Sequence, residues 1–222
     1  MYAMPEMLAE CCVTYVETHA MIYFLSQRGP EMYDYAIDPL DGDIDKVQPL
    51  DLTPDEGRRI KPTPTNQGRP LDMTHMPTRW RIGGRKRDLV DVQPGRSSLL
   101  VDEKLKTCVE ALEPGVHQFF PIELVWKDGG HAASRYWFNV CTRLDGIDPE
   151  KTNLEFKGIW MGSGKPGEEL WFSRKKIGGH HIWIERFMTY APPPRFISAE
   201  LKQALETAGV TGLNYRPYPE TD

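Results

Sequence analysis

Two segments of this chain follow one pattern: a short apolar run, a helix-capping side chain, then an amphipathic stretch closed by glycine. The first is LLVDEKLKTCVEALEPG, from Leu99 to Gly115, and the second is RFISAELKQALETAG, from Arg195 to Gly209. Asp102 and Ser198 sit where a side-chain oxygen would cap the first turn. Behind them, Leu105, Cys108, Val109 and Leu112, and then Leu201, Ala204, Leu205 and Ala208, recur at helical spacing and form one apolar stripe each. Pro114-Gly115 and Gly209 are the stop signals. Each unit therefore reads as strand, cap and helix, and each must bury its stripe against a sheet. Val101/Ile197, Leu105/Leu201, Lys106/Lys202 and Glu110/Glu206 coincide when the two are aligned. A cap plus an amphipathic stripe forces much of that match, which favours convergence over internal duplication.

Between the two units the pattern changes to strands. Segments 117–126 and 134–144 flank Lys127-Asp128-Gly129-Gly130, a hairpin turn. Further strands are expected at 154–161, 169–175 and 181–188. Trp126, Trp137, Trp160, Trp171 and Trp183 mark nearly every one of these strands, as core residues on sheet faces do. The fold class that follows is α+β: a mostly antiparallel, Trp-rich sheet with two capped amphipathic helices and a loop-rich N-terminal part.

That N-terminal part is less regular. Residues 1–20 read as a helical leader, with Met4, Leu8, Cys11 and Tyr15 at helical spacing. Met21 opens a strand-like run, MIYFLSQ. Residues 31–96 hold prolines at 39, 49, 54, 62, 64, 70, 77 and 94, and their charge is segregated. Nine acids against one base lie between Glu31 and Glu56, and nine bases against one acid between Gly57 and Arg87. Either the two stretches face each other within the fold or are simply solvated, or one of them docks a partner. The candidate partner-binding residues are Asp34, Asp38, Asp41, Asp43 and Asp45, in a loop that Pro39 and Gly42 keep from being a regular helix.

Chemistry is sparse by comparison. Gly162 to Gly167, GSGKPG, has the letters of a dinucleotide fingerprint, but Pro166 and the strand-like Glu169-Leu170-Trp171-Phe172 follow where a helix N-terminus is required. A hairpin loop is the expectation. Asp41, Asp43 and Asp45 imitate an EF-hand start, but Lys46 and Leu52 stand where glycine and glutamate are needed. His180 and His181 are adjacent, and on a strand they would point to opposite faces and share no metal. Cys141, expected in a central strand among aromatics, reads as an inert thiol. No G-x-S-x-G elbow exists. No enzyme, metal or cofactor is therefore expected. A net charge of −5 argues against nucleic acid and anionic membranes as partners. The basic aromatic stretch from Arg79 through Trp80 to Arg87 is the one hint the other way. Cys11, Cys12, Cys108 and Cys141 form no CxxC pair, and neither a secretory signal nor an apolar run of membrane length is present, so the cytoplasm is expected.

The C-terminal half resembles immunity family eleven of bacterial polymorphic-toxin systems, typified by a myxobacterial immunity protein. The resemblance runs from about Ser97 to Pro217. It is carried by LLVDEKLKTCVEAL, FFPIEL, YWFNVCTRLDGID, ELWFSRK and above all RFISAELKQALETAGVTGLNYRP. It divides the chain into an atypical leader at 1–20, a variable part at 21–96 and a family core at 97–222, with 21–222 as one domain. It implies a protein encoded beside a contact-delivered toxin, often a nuclease, which it neutralises by stoichiometric binding. It implies no catalytic residue, and Trp137, Asn139, Asp145, Asp148, Ser198 and Gly212 are expected to make the fold. Two other readings stay open: an enzyme that reverses the toxin's modification, and a nucleic-acid-binding regulator.

Overall fold

The computed structural model describes residues 21–27, 37–54, 67–83, 86–95, 98–162, 166–188 and 194–222; the leader at 1–20 lies outside them. Three of its strands, Ser98–Val101, Ile182–Glu185 and Arg195–Ile197, are buried at every position. A strand with one wet face alternates, so these must be covered on both faces. The cover arises because the chain forms two six-stranded sheets, not the single sheet expected.

Strands are numbered in chain order. The first sheet has the order β10 (Arg143–Leu144), β14 (Ile182–Glu185), β15 (Arg195–Ile197), β1 (Met21–Gln27), β16 (Leu213–Thr221) and β13 (Phe172–Ser173). The second has β2 (Ile37–Pro39), β5 (Arg79–Ile82), β8 (Gln118–Val125), β9 (His131–Asn139), β7 (Ser98–Val101) and β6 (Val92–Gly95). Two short ribbons, β3 (Gln48–Pro49) with β4 (Leu71–Asp72) and β11 (Glu155–Phe156) with β12 (Trp160–Met161), stand apart. Pairing is antiparallel except at β5–β8, β10–β14 and β13–β16.

The two strand–cap–helix units form as the sequence dictates. Asp102 accepts from the Leu105 amide and starts α1 (Glu103–Leu112). Ser198 accepts from the Leu201 amide and starts α3 (Ala199–Thr207). The units belong to different sheets, β7 to the second and β15 to the first. Their helices pack on each other, with the Cys108 thiol 3.6 Å from the Ala204 carbonyl. Leu105, Val109, Leu201 and Leu205 fill a central cluster together with Leu25, Ile182, Ile184 and Ile197 from the first sheet and Leu99, Val101 and Phe138 from the second.

The outer faces have their own cores. Ile44, Val47, Leu71 and Met76, from the proline-rich N-terminal part, cover Trp80, Leu100, Leu124 and Trp137 of the second sheet. Ile147, Trp160, Leu170 and Ile177 cover Trp183 and Phe196 of the first. Trp137 and Trp183 are therefore sheet-face core, and Trp126 and Trp160 are buried beside them, whereas Trp171 lies outside any strand, half-buried, and donates its indole N–H to the Glu169 carboxylate.

Several boundaries differ from the sequence reading. The hairpin turn at 127–130 forms, with the Asp128 carboxylate accepting from the Gly130 amide. The strand after it begins at His131 and stops at Asn139, and the chain crosses to the other sheet before β10. Past it, the Cys141 amide donates to His117, and the Asn139 side chain donates to the Arg69 carbonyl. The run 154–161 is the ribbon β11–β12 and not one strand. After two strand residues, Ser173 caps a short helix, α2 (Arg174–Ile177).

Candidate interaction surface

Residues 40–50 run antiparallel against 70–79. The Leu40 amide donates to the Arg79 carbonyl at 2.9 Å, Asp43 to His75 at 2.8 Å and Leu50 to Pro70 at 3.0 Å. Because Ile44 and Val47 turn into the core, the aspartates between and around them are left facing outward. Asp38 lies opposite Arg81 in the β2–β5 ladder and pairs with it at 3.3 Å. Asp41 accepts from the Thr78 amide and hydroxyl and from the Arg79 amide. Partial burial would push its carboxyl up, but these bonds outweigh it and hold the group below the usual carboxylate range. Asp43 caps the short turn at 44–46 and pairs with Lys46 at 3.1 Å, which lowers its pKa. Asp45 is exposed. Asp34 lies outside the described residues.

Among the described residues the acidic and basic stretches meet in the ion pairs of Asp38 with Arg81 and of Asp51 with Arg69, the latter at 3.1 Å. Two further bases of the described basic stretch are also paired. Arg79 binds Glu123 and Lys86 binds Asp128. Trp80 is wholly buried and donates its indole N–H to the Pro77 carbonyl, so it offers no face for a base to stack on.

A buried polar cluster that the sequence reading missed ties the two sheets together. Glu113 follows α1 and is 5% exposed. It accepts from His117 Nε2 at 3.0 Å, His180 Nδ1 at 3.1 Å and the Ile182 amide at 3.0 Å. Burial alone would raise its carboxyl, but the hydrogen bonds it accepts from His117, His180 and the Ile182 amide outweigh burial and hold it below the usual range. His117 Nδ1 accepts from the Cys141 amide at 3.1 Å. A nitrogen that accepts carries no proton, so His117 carries its proton on Nε2 and donates it to Glu113. That nitrogen has no lone pair left for a metal, and the cluster serves as a clasp. The signal in the sequence was slight: a glutamate and a histidine four apart, just past a helix end.

The remaining candidates also serve the fold. His180 and His181 precede β14 instead of lying on it, yet they do reach different partners, Glu113 and Ser198. Among the described residues no group of three or more His, Cys, Asp or Glu is placed to hold a metal. Cys141 lies two residues beyond β9, not within a strand, and burial pushes its thiol up to about 11. Cys11 and Cys12 lie outside the described residues. Of the 162–167 loop, residues 163–165 lie outside them as well, and no helix starts directly after Gly167. Trp137 and Asn139 are buried. Asp145 accepts from Lys176, and Asp148 from the Glu150 amide and the Thr221 hydroxyl. Gly212 has φ +88°, and a Cβ there would lie 2.5 Å from the Val92 carbonyl oxygen.

These features define a two-sheet α+β protein whose buried polar groups hold the scaffold and whose acidic ribbon lies on its surface. The family model described as the immunity protein family (Imm11) matches residues 26–220, and the chain belongs to that family. The match takes in most of the proline-rich N-terminal part. No curated protein matches the chain. No helix among the described residues is long and apolar enough to cross a membrane.

Proposed function

We propose that this protein neutralises a cognate toxin, delivered by contact between cells, by binding it stoichiometrically in the cytoplasm of the cell it protects. The observation that carries the reading, beside the family, is the ribbon at 38–51, whose own residues include Asp38, Asp41, Asp43, Asp45 and Asp51 and one base, Lys46, with Arg81 and Arg69 of the facing segment paired to Asp38 and Asp51. A nuclease must hold phosphates in a cationic groove, and a fixed row of carboxylates is the surface that would enter and block it. Opposite charges also speed encounter. A blocker needs no reacting group, only a complementary surface of roughly 1,200–2,000 Å² total burial.

The test is a titration. The purified protein is added to the product of the adjoining reading frame while that product's toxic activity is followed. Inhibition should end near an equimolar ratio, with a complex on gel filtration. Full protection at a small fraction of the toxin concentration, without a complex, would replace the blocker with an enzyme that reverses the damage.

A further inference from the structure

The two sheets repeat one arrangement. Strands β5, β8, β9, β7 and β6 lie side by side in the second sheet, and β13, β16, β1, β15 and β14 lie side by side in the first. In each series the first pair is parallel and the other three are antiparallel. The register agrees as well. Leu100 faces Trp137, which faces Phe120; Phe196 faces Phe24, which faces Arg216. Lys106 lies over the Tyr136 ring at 5.0 Å, and Lys202 lies at 5.0 Å over the ring of Tyr23, the matching residue of β1. One half can therefore be read against the other, position by position.

On the outer face of the second sheet, Gln118 and Asn139 stand opposite each other at the end of the β8–β9 ladder. Gln118 accepts from the Leu71 amide and donates to the Leu71 carbonyl, both at 2.9 Å, and Asn139 donates to the Arg69 carbonyl. A residue whose amide and carbonyl point the same way is extended, so the glutamine grips this segment much as a neighbouring strand would. The Leu71 side chain enters the cluster of Leu100, Ile122 and Trp137 and is 2% exposed.

The matching positions of the first sheet are Asn214 and Ser26, again opposite each other, beside Phe24, Phe196 and Tyr218. These residues line a cavity of about 420 Å³, with Arg216 in the place of Phe120. Asn214 is exposed, and its side chain bonds to no described residue. The second site thus has both parts of the first, an amide at the rim and an apolar floor.

We propose that this cavity docks an extended segment of the toxin, with Asn214 gripping its backbone and an apolar side chain seated on Phe24 and Phe196. The partner's chemistry follows from the other half, where the matching site holds polypeptide. The assignment rests on the reading of the protein as a stoichiometric blocker. The cavity is on the first sheet's outer face and the acidic ribbon on the second's, so the docked segment lies outside the groove that the ribbon blocks. The ribbon then inhibits, and the cavity adds affinity.

The test measures binding of the full chain to the purified product of the adjoining reading frame by calorimetry, with thermal unfolding and toxic activity followed in parallel. Asn214→Leu keeps the size and removes the hydrogen bonds, and should weaken binding about tenfold. Asn214→Gln, the residue that the other half uses, should bind as wild type does. Neither should change the melting temperature, whereas Gln118→Leu should lower it by a few degrees, because Gln118 holds a segment of the chain itself. At saturating protein, Asn214→Leu should still inhibit completely. Unchanged affinity in Asn214→Leu overturns the docking assignment and leaves the blocker reading standing. So does a melting temperature lowered as in Gln118→Leu, which gives the cavity to a segment of this chain. A wild-type dimer that Asn214→Leu dissociates, with toxin binding intact, gives it to a second copy and also overturns the proposal. No complex with wild-type protein overturns both the docking site and the blocker.

Discussion

Replacing Glu113 by alanine tests the central clasp most directly. The carboxylate is the common acceptor for His117 Nε2, His180 Nδ1 and the Ile182 amide. His117 has a fully buried side chain, and the Ile182 amide lies at the start of a strand buried on both faces. Alanine leaves both donors without an acceptor, whereas His180, half-exposed, can turn to water. Each stranded buried donor costs about 1–3 kcal/mol, so the alanine variant should lose roughly 4 kcal/mol. At this size about 1 kcal/mol moves the midpoint by roughly 2–4 °C, which places the loss near 10 °C. Glutamine should cost only about 1 kcal/mol, because its carbonyl can serve His117 and Ile182 while its amide turns toward His180. The sign of the pH dependence follows from the lowered carboxyl. A depressed folded-state pKa stabilises above the unfolded value and loses that contribution as pH falls through the folded value. The gap between wild type and E113Q should therefore be full at pH 7 and narrow as pH falls below the ordinary glutamate range toward the depressed folded-state value. Thermal unfolding followed by circular dichroism at pH 7 and at pH 3.5 is the assay. A loss under about 3 °C for E113A, or equal damage from Gln and Ala, would refute the argument.

Two further outcomes check other parts of the structure. Gly212→Ala should cost roughly 3 kcal/mol or more, since φ +88° strains any L side chain and the new Cβ would press on the Val92 carbonyl; Gly209→Ala, at φ +65° with open space around it, should cost only about 1 kcal/mol, and equal melting temperatures for the two would contradict the packing. With its thiol pushed up to about 11, Cys141 should alkylate with iodoacetamide at pH 8 at least about tenfold slower in the folded chain than in urea, read by peptide mapping, and rapid labelling in the folded chain would show a thiolate the geometry does not support.

Much of the fold was legible because it is locally encoded. A cap, a stripe at helical spacing and a glycine stop specify α1 and α3 whatever surrounds them, since the interactions lie within a few residues. The turn at 127–130 is legible for the same reason, and tryptophan on a strand means core in nearly any sheet. Of the interaction surface, the density of aspartates could be read from the sequence. The exposure of Leu50 and Leu52 could not, because a leucine in a proline-rich segment looks the same whether it turns in, as Ile44 and Val47 do nearby, or out.

What only the tertiary structure decided is how these pieces are partnered. Period-two patterns say that a strand has faces but not which sheet it joins, so one sheet was expected where two form around the helix pair. At the end of β9 the Asn139 side chain bonds to Arg69 and the Cys141 amide to His117, residues far away in the chain, and no local rule contains them. The clasp draws on positions 113, 117, 141, 180 and 182, which meet only once both sheets exist. Asp41 reads as a free surface charge until the fold brings Thr78 and Arg79 to it. Local propensity thus set the elements, and the burial of both faces of β7, β14 and β15 set their assembly, since apolar area is hidden from water only by residues distant in sequence.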